Sequence, residues 1–120
     1  MASDDGLDEL STSGPTHVVE LLEDGHLDSW TLTPEEVGLE RASQSALAAG
    51  TPERNAEIAR AVLAGEAGPE RDLTALNAGA AIYVGGLAET IEQGTRQAEQ
   101  AIDSGAARDV LAKLVERTNA

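Results

Sequence analysis

Four carboxylates near the start of the chain are the residues best suited to chemistry: Asp4, Asp5, Asp8 and Glu9, within Ser3-Asp4-Asp5-Gly6-Leu7-Asp8-Glu9-Leu10. Adjacent carboxylates held by a glycine-containing turn suit a hard cation such as Mg²⁺. That ion takes oxygen ligands, keeps several waters, and commonly combines one or two carboxylates with substrate phosphates. On composition alone the plainer reading, a solvated acidic surface, is the stronger one. Other residues invite similar comparison. Ser11-Thr12-Ser13-Gly14 has the make-up of a loop that cradles phosphate through backbone N–H groups, although an ordinary loop explains it as well. His17 and His26 would face each other across a hairpin and bind a metal, or serve as plain strand histidines, the reading preferred. Asn77 is expected to be a helix-packing residue with a satisfied amide, and Tyr83 part of the core. No Ser/His/Asp set has spacing that suggests a hydrolase.

The elements that would position these residues are legible from punctuation and periodicity. Residues 1–15 read as irregular. β-branched Thr16, Val18 and Val19 predict a strand over Thr16–Leu22. Asp24-Gly25 is a tight-turn signal, and His26–Leu32 forms the returning strand with Trp30 and Leu32 on one face. Thr33-Pro34-Glu35-Glu36 is a helix start that Gly38 stops after about a turn, followed by a weakly helical linker over 39–50. Thr51-Pro52-Glu53 opens a helix to about Leu63, with Ile58–Val62 and Ala59–Leu63 four apart. After Gly65, Gly68 and Pro69, a second helix lines up Leu73, Leu76, Ala80, Tyr83 and Val84 and ends at Gly85-Gly86. Thr90 and Gln93 form a capping box for a third helix over 91–103, stopped by Ser104-Gly105. The last helix, 106–118, has the cleanest apolar stripe: Ala107, Val110, Leu111, Leu114 and Val115.

The fold class expected is therefore an α/β fragment, a β-hairpin followed by three to four helices. A lone hairpin is marginal and leaves open strand edges. The chain reads as the end of a larger α/β domain whose other strands lie upstream.

Composition narrows the function. The 120 residues fit one domain, with 41% hydrophobic but only 2% aromatic residues and no Phe, which favours close-packed helices of small side chains. Cysteine is absent, which excludes disulfides and thiolate metal sites. With no signal-like start and no apolar run of bilayer length, a soluble cytoplasmic protein is expected. The formal net charge is -14, from 22 acidic and 8 basic residues, with Lys113 the only lysine. Such a surface repels nucleic acid and anionic membranes. It fits either adaptation to high salt, the reading preferred because the acids are scattered, or an acidic module that binds a basic partner.

The motifs, in order, resemble one family. Asp5-Gly6-Leu7-Asp8-Glu9 is similar to the acidic magnesium motif of anthranilate phosphoribosyltransferases. Gly14-Pro15-Thr16-His17-Val18, Glu20-Leu21, Asp24-Gly25, Leu32-Thr33-Pro34-Glu35 and Gly38-Leu39 follow in that family's sequence. Val62-Leu63-Ala64-Gly65-Glu66, Leu76-Asn77-Ala78-Gly79-Ala80-Ala81 and Ala101-Ile102-Asp103-Ser104-Gly105-Ala106-Ala107 complete it. The resemblance implies that residues 1–120 are the C-terminal portion of the α/β catalytic domain. It implies Asp8 and Glu9 as Mg²⁺ ligands, phosphoribosyl pyrophosphate and anthranilate as substrates, and a homodimer for the full-length enzyme. Met1-Ala2-Ser3 stand where the family has a strand end leading into the acidic motif. The helical N-terminal domain, the glycine-rich phosphate loop and the anthranilate-binding residues would lie upstream, so no catalytic residue is assigned here and no complete active site is expected. A relative of the pyrimidine nucleoside phosphorylases, which share the fold family, is the neighbouring alternative; the Asp8-Glu9 pair and the Asn77 helix favour the transferase. A non-catalytic acidic binding module is the alternative from another class.

If the acidic surface is salt-adapted, helix content rises between low salt and molar KCl, where the Debye length shrinks to about 3 Å. Circular dichroism that shows equally well-ordered helix at both ends of the series contradicts this.

Overall fold

A computed structural model of the chain describes residues 2–3, 10–43 and 51–118. The hairpin forms as expected, with β2 at Thr16–Leu21 and β3 at Leu27–Leu32. Its register runs from Thr16 opposite Leu32 to Leu21 opposite Leu27. Strand periodicity shows directly in burial: Thr16 and Val18 are buried while His17, Val19 and Leu21 are exposed. Gly25 closes the turn with φ +87°, a conformation that costs glycine nothing, and the His26 N–H donates to Asp24 Oδ1 at 3.0 Å.

One strand departs from the expectation that residues 1–15 are irregular. β1, Ala2–Ser3, pairs antiparallel with β2, so the sheet has three strands in the order β1-β2-β3. Ala2 lies opposite His17 and Ser3 opposite Thr16. A strand this short has no periodicity to read, and its partner lies far along the sequence.

Helix boundaries follow the local signals. Thr33-Pro34 opens only a 3-10 turn, Pro34–Val37, and Thr33 makes no side-chain cap, so the capping box expected there does not form; Gly38 ends the turn with φ +76°. α1 spans Pro52–Leu63, with Thr51 Oγ1 accepting from Arg54 N at 3.1 Å. α2 spans Pro69–Val84 and α3 spans Ile91–Asp103. Thr90 Oγ1 accepts from Gln93 N at 3.0 Å, and Gln93 Oε1 reaches back to Glu89 N at 2.7 Å, one residue beyond the expected partner. Each such cap is worth about 1 kcal/mol. α4 spans Ala106–Thr118.

The core joins sheet and helices. Leu10, Val18, Leu32, Val37, Leu39, Leu76, Ala80 and Ile91 are buried together, with Trp30 and Tyr83 packed against them. α2 and α3 form the tightest crossing. Gly79 faces Gly94 and Thr95 so closely that a Cβ on Gly79 would lie 2.4 Å from Thr95 N, and one on Gly94 would lie 2.2 Å from Gly79 O. Thr95 is fully buried, and its hydroxyl donates to Ile91 O at 2.8 Å.

α4 carries the regular apolar spacing expected of it, yet none of its residues is buried. Val110 is 66% exposed, Leu111 40%, Leu114 57% and Val115 50%. Periodicity predicts where an apolar stripe will form; it does not supply what covers it.

Gly79→Ala should destabilise the fold by about 3 kcal/mol, because helix backbones must move apart. Gly86→Ala, at φ +82° with open space around the position, should cost about 1–2 kcal/mol from backbone conformation alone. Chemical denaturation of both variants checks the order; equal losses would refute the steric account.

Candidate functional site

The acidic residues Asp4, Asp5, Asp8 and Glu9 lie outside the described residues; the residues that flank them are described. On one side Ser3 pairs with Thr16 in the β1–β2 ladder. On the other, the N–H of Ser11 donates to Thr16 Oγ1 at 3.1 Å. Thr16, buried at the start of β2, is therefore the meeting point of both stems. The sequence pattern marks it as a strand residue only; no local signal identifies a hydroxyl that will bind a backbone five residues earlier.

Asn77 holds the second stem from the helix side. Its Oδ1 accepts from Leu10 N at 2.9 Å, and its Nδ2 donates to Leu10 O at 2.9 Å and to Leu73 O at 3.0 Å. The amide is satisfied, as expected, but its partners include the backbone beside Glu9. The Leu10 side chain is fully buried in the core. A primary amide that both donates to and accepts from one residue's backbone reproduces a strand-like pairing from a side chain.

The Ser11–Gly14 loop is not an open phosphate cradle. Ser11 and Thr12 are buried, the Ser13 N–H donates to Ser11 Oγ at 3.0 Å, and the two serine hydroxyls are 2.9 Å apart. Thr12 Oγ1 is buried with no hydrogen-bond partner among the described residues, although its carbonyl accepts from Ala42 N at 2.8 Å. The histidines do not meet. His17 lies opposite Thr31, while His26 Nδ1 sits 3.0 Å from Asp24, whose carboxyl is held below the usual range by hydrogen bonds from His26. Among the described residues, no group of three or more His, Asp or Glu side chains is placed to hold a metal ion.

Two polar ties that periodicity missed set the frame. Arg71, with a side chain 12% exposed, forms a bidentate pair with Asp103 at 2.6 and 3.0 Å and donates to Gly65 O at 3.2 Å. It fastens the start of α2 to the end of α3, and its guanidinium holds the Asp103 carboxyl below the ordinary range. Arg96 bridges the carbonyl of Val37 and the carboxylate of Glu99. Nearby, burial and then the charge of Glu99 push the Asp72 carboxyl up. Tyr83, expected as core, is half-buried and donates its hydroxyl to the Glu20 carboxylate at 2.7 and 2.9 Å. The apolar stripe predicts the ring's position but not the hydroxyl's partner.

With the Thr16 and Asn77 ties and the helix crossing established, the comparisons identify the class. The profile of the glycosyl transferase family, a/b domain, matches residues 1–108, and the chain belongs to that family. Within it, this chain is similar to curated anthranilate phosphoribosyltransferases. It is 48% identical to that of Methanobrevibacter smithii over 115 residues and 52% identical to that of a Methylobacterium species over 116, covering 96% and 97% of this chain. In both cases it spans only 34% of the relative's length. The crystal structure of the Thermus thermophilus anthranilate phosphoribosyltransferase superposes with TM-score 0.87 at 41% identity, covering 97% of this chain and 34% of that one. A Saccharomyces cerevisiae anthranilate phosphoribosyltransferase variant with Mg bound superposes with TM-score 0.81 at 29% identity, over 92% and 32%.

The Tyr83–Glu20 bond makes stability depend on alkaline pH. The bond to Glu20, followed by burial, raises the Tyr83 pKa above its ordinary value of about 10. The bond's contribution is thus complete below about pH 10 and lost as pH rises through the folded-state value. Denaturation midpoints should fall over that range for the natural chain, and Tyr83→Phe should flatten the fall.

Proposed function

We propose that residues 1–120 are the C-terminal portion of the α/β catalytic domain of an anthranilate phosphoribosyltransferase, inactive by themselves. The observation that carries this reading is the identity to those relatives, about half of the positions over nearly the whole chain, combined with a span of only 34% of their length. The superposition on the Thermus thermophilus anthranilate phosphoribosyltransferase, with TM-score 0.87 over 97% of this chain, supports it.

The reaction would transfer phosphoribose from phosphoribosyl pyrophosphate to the amino group of anthranilate, a step of tryptophan biosynthesis. The anomeric C–O bond breaks, pyrophosphate leaves with the electron pair, a C–N bond forms, and the amine loses a proton. Asp8 and Glu9 are the donors proposed for Mg²⁺; their hard oxygen chemistry fits that ion, and the yeast structural relative has Mg bound. When bound, the ion supplies charge stabilisation for the departing pyrophosphate. Asp8 and Glu9 would orient it. The rest of the site, including the phosphate loop and the dimer-forming helical domain of the full-length family, would be supplied from outside this chain. The reading also implies a cytoplasmic protein, and the charge of -14 suits a salt-adapted surface.

The test is anthranilate phosphoribosyl transfer with Mg²⁺ in high salt, with this chain alone and with the remainder of a full-length relative added. Activity only in the mixture, weakened at least tenfold by Asp8→Ala, is the expected result. Inactivity of both, with the remainder shown to be folded, overturns the reading and favours the acidic binding module.

A further inference from the structure

Two open faces of the fold are chemically opposite. On α4, Val110, Leu111, Leu114 and Val115 are exposed, and helical periodicity gathers them into one stripe. Arg108 borders that stripe on one side, Arg117 and then Lys113 on the other, while Asp109 and Glu116 lie at the back of the helix. α4 thus holds three basic and two acidic residues, against five basic and 20 acidic in the rest of the chain. Among the described residues, Arg41, Arg54, Arg71 and Arg96 are ion-paired, and no carboxylate pairs with Arg108, Lys113 or Arg117. The hairpin is the converse. Val19 and Leu21 of β2 and Leu27 of β3 are exposed on its outer face, with Leu21 opposite Leu27. Glu23, Asp24 and Asp28 are exposed around that end, and residues 19–28 include no Lys or Arg. A strand of 6 residues and a helix of 13 both extend about 20 Å, so the two faces match in length.

We propose that these faces meet between copies of the chain: the α4 stripe of one molecule packs on the outer hairpin face of a second, its basic rim against the acidic end of the hairpin. The contact is independent of the catalytic reading. Like faces are poor partners, because α4 on α4 opposes two basic rims and hairpin on hairpin opposes two acidic ends. Within one molecule neither face covers the other, since both are exposed. A two-fold axis would form the contact twice, once in each direction. Salt decides when the copies can approach. Two bodies of formal charge -14 repel over long range at low ionic strength. In molar KCl the Debye length is about 3 Å, so that repulsion is screened while side chains in contact still pair and apolar burial is retained.

The experiment is sedimentation equilibrium of the full chain in molar KCl, with two double variants. Leu111→Asp with Leu114→Asp spoils α4, and Leu21→Asp with Leu27→Asp spoils the hairpin. All four positions are exposed, and circular dichroism melts check that each protein is folded. The natural chain is expected to self-associate, and each double variant to weaken this by about tenfold or more. Mixing the two variants should restore a complex containing one of each, because one still offers α4 and the other still offers the hairpin. A natural chain that stays monomeric overturns the proposal. So does undiminished association of the hairpin variant, which would mean that α4 pairs with itself, or a mixture that forms no complex. A chain that is monomeric alone but binds the remainder of a full-length relative, through residues that both variants remove, assigns the faces to the rest of the enzyme instead. Monomers that sediment with anionic lipid vesicles through α4 assign that helix to a membrane surface, and the proposal again fails. If either apolar pair does not fold, Lys113→Glu with Arg117→Glu, or Glu23→Lys with Asp28→Lys, takes its place, and unchanged association there overturns the contact.

Discussion

The crossing of α2 over α3 at Gly79, Gly94 and Thr95 is the constraint on which the rest of the arrangement depends. With no side chain on either glycine, the two helix backbones approach until Thr95 is completely buried between them. That fixes α2 in both position and rotation. Several other ties then leave from α2 in a set direction. Arg71 reaches Asp103 at the end of α3, Asn77 reaches Leu10, Leu76 and Ala80 enter the core, and Tyr83 reaches Glu20 on β2. A chain with almost no aromatic residues cannot fill its interior with bulk. It achieves close contact by removing side chains, and dispersion between nearby backbones replaces the missing rings.

Local chemistry explains why most boundaries were legible. Thr51, Thr90, Gly25, Gly38 and Gly105 act on groups within a few residues, so their meaning does not depend on the rest of the fold. Thr33 shows the limit. The same Thr-Pro-Glu signal that opens α1 opens only a 3-10 turn at Pro34, because Gly38 arrives before an α-helix can propagate. What could not be read is non-local. β1 is two residues long and pairs with residues 16 and 17, and the Thr16 hydroxyl and Asn77 amide find backbone partners 5 and 67 residues away. Sequence pattern identifies Asn77 as a polar residue on a packed helix, so it predicts a satisfied amide without predicting what satisfies it.

Amphipathicity misled in one direction only. α4 has regular apolar spacing and no buried residue, whereas α3 buries Ile91, Gly94, Thr95, Ala98 and Ile102 with Thr and Gly in the central places. The strength of an apolar stripe measures the surface a helix offers, while burial depends on whether another surface meets it. The outer face of the hairpin makes the same point, with Val19, Leu21 and Leu27 exposed beside a well-packed inner face. Both open faces agree with a chain that spans about a third of its relatives' length.

Charge and backbone ties bear on the same stretch of chain. With a formal charge of -14, four acids within six residues are unfavourable neighbours on charge alone. The backbone on either side is tied into the fold, Ser3 to Thr16 and Leu10 to Asn77. A divalent cation bound by those acids would offset their mutual repulsion, so an acidic surface and the proposed metal site need not compete as explanations of the same residues. Under the proposed reading the cation has a second effect, because it allows an anionic pyrophosphate to approach a protein whose field would otherwise exclude it.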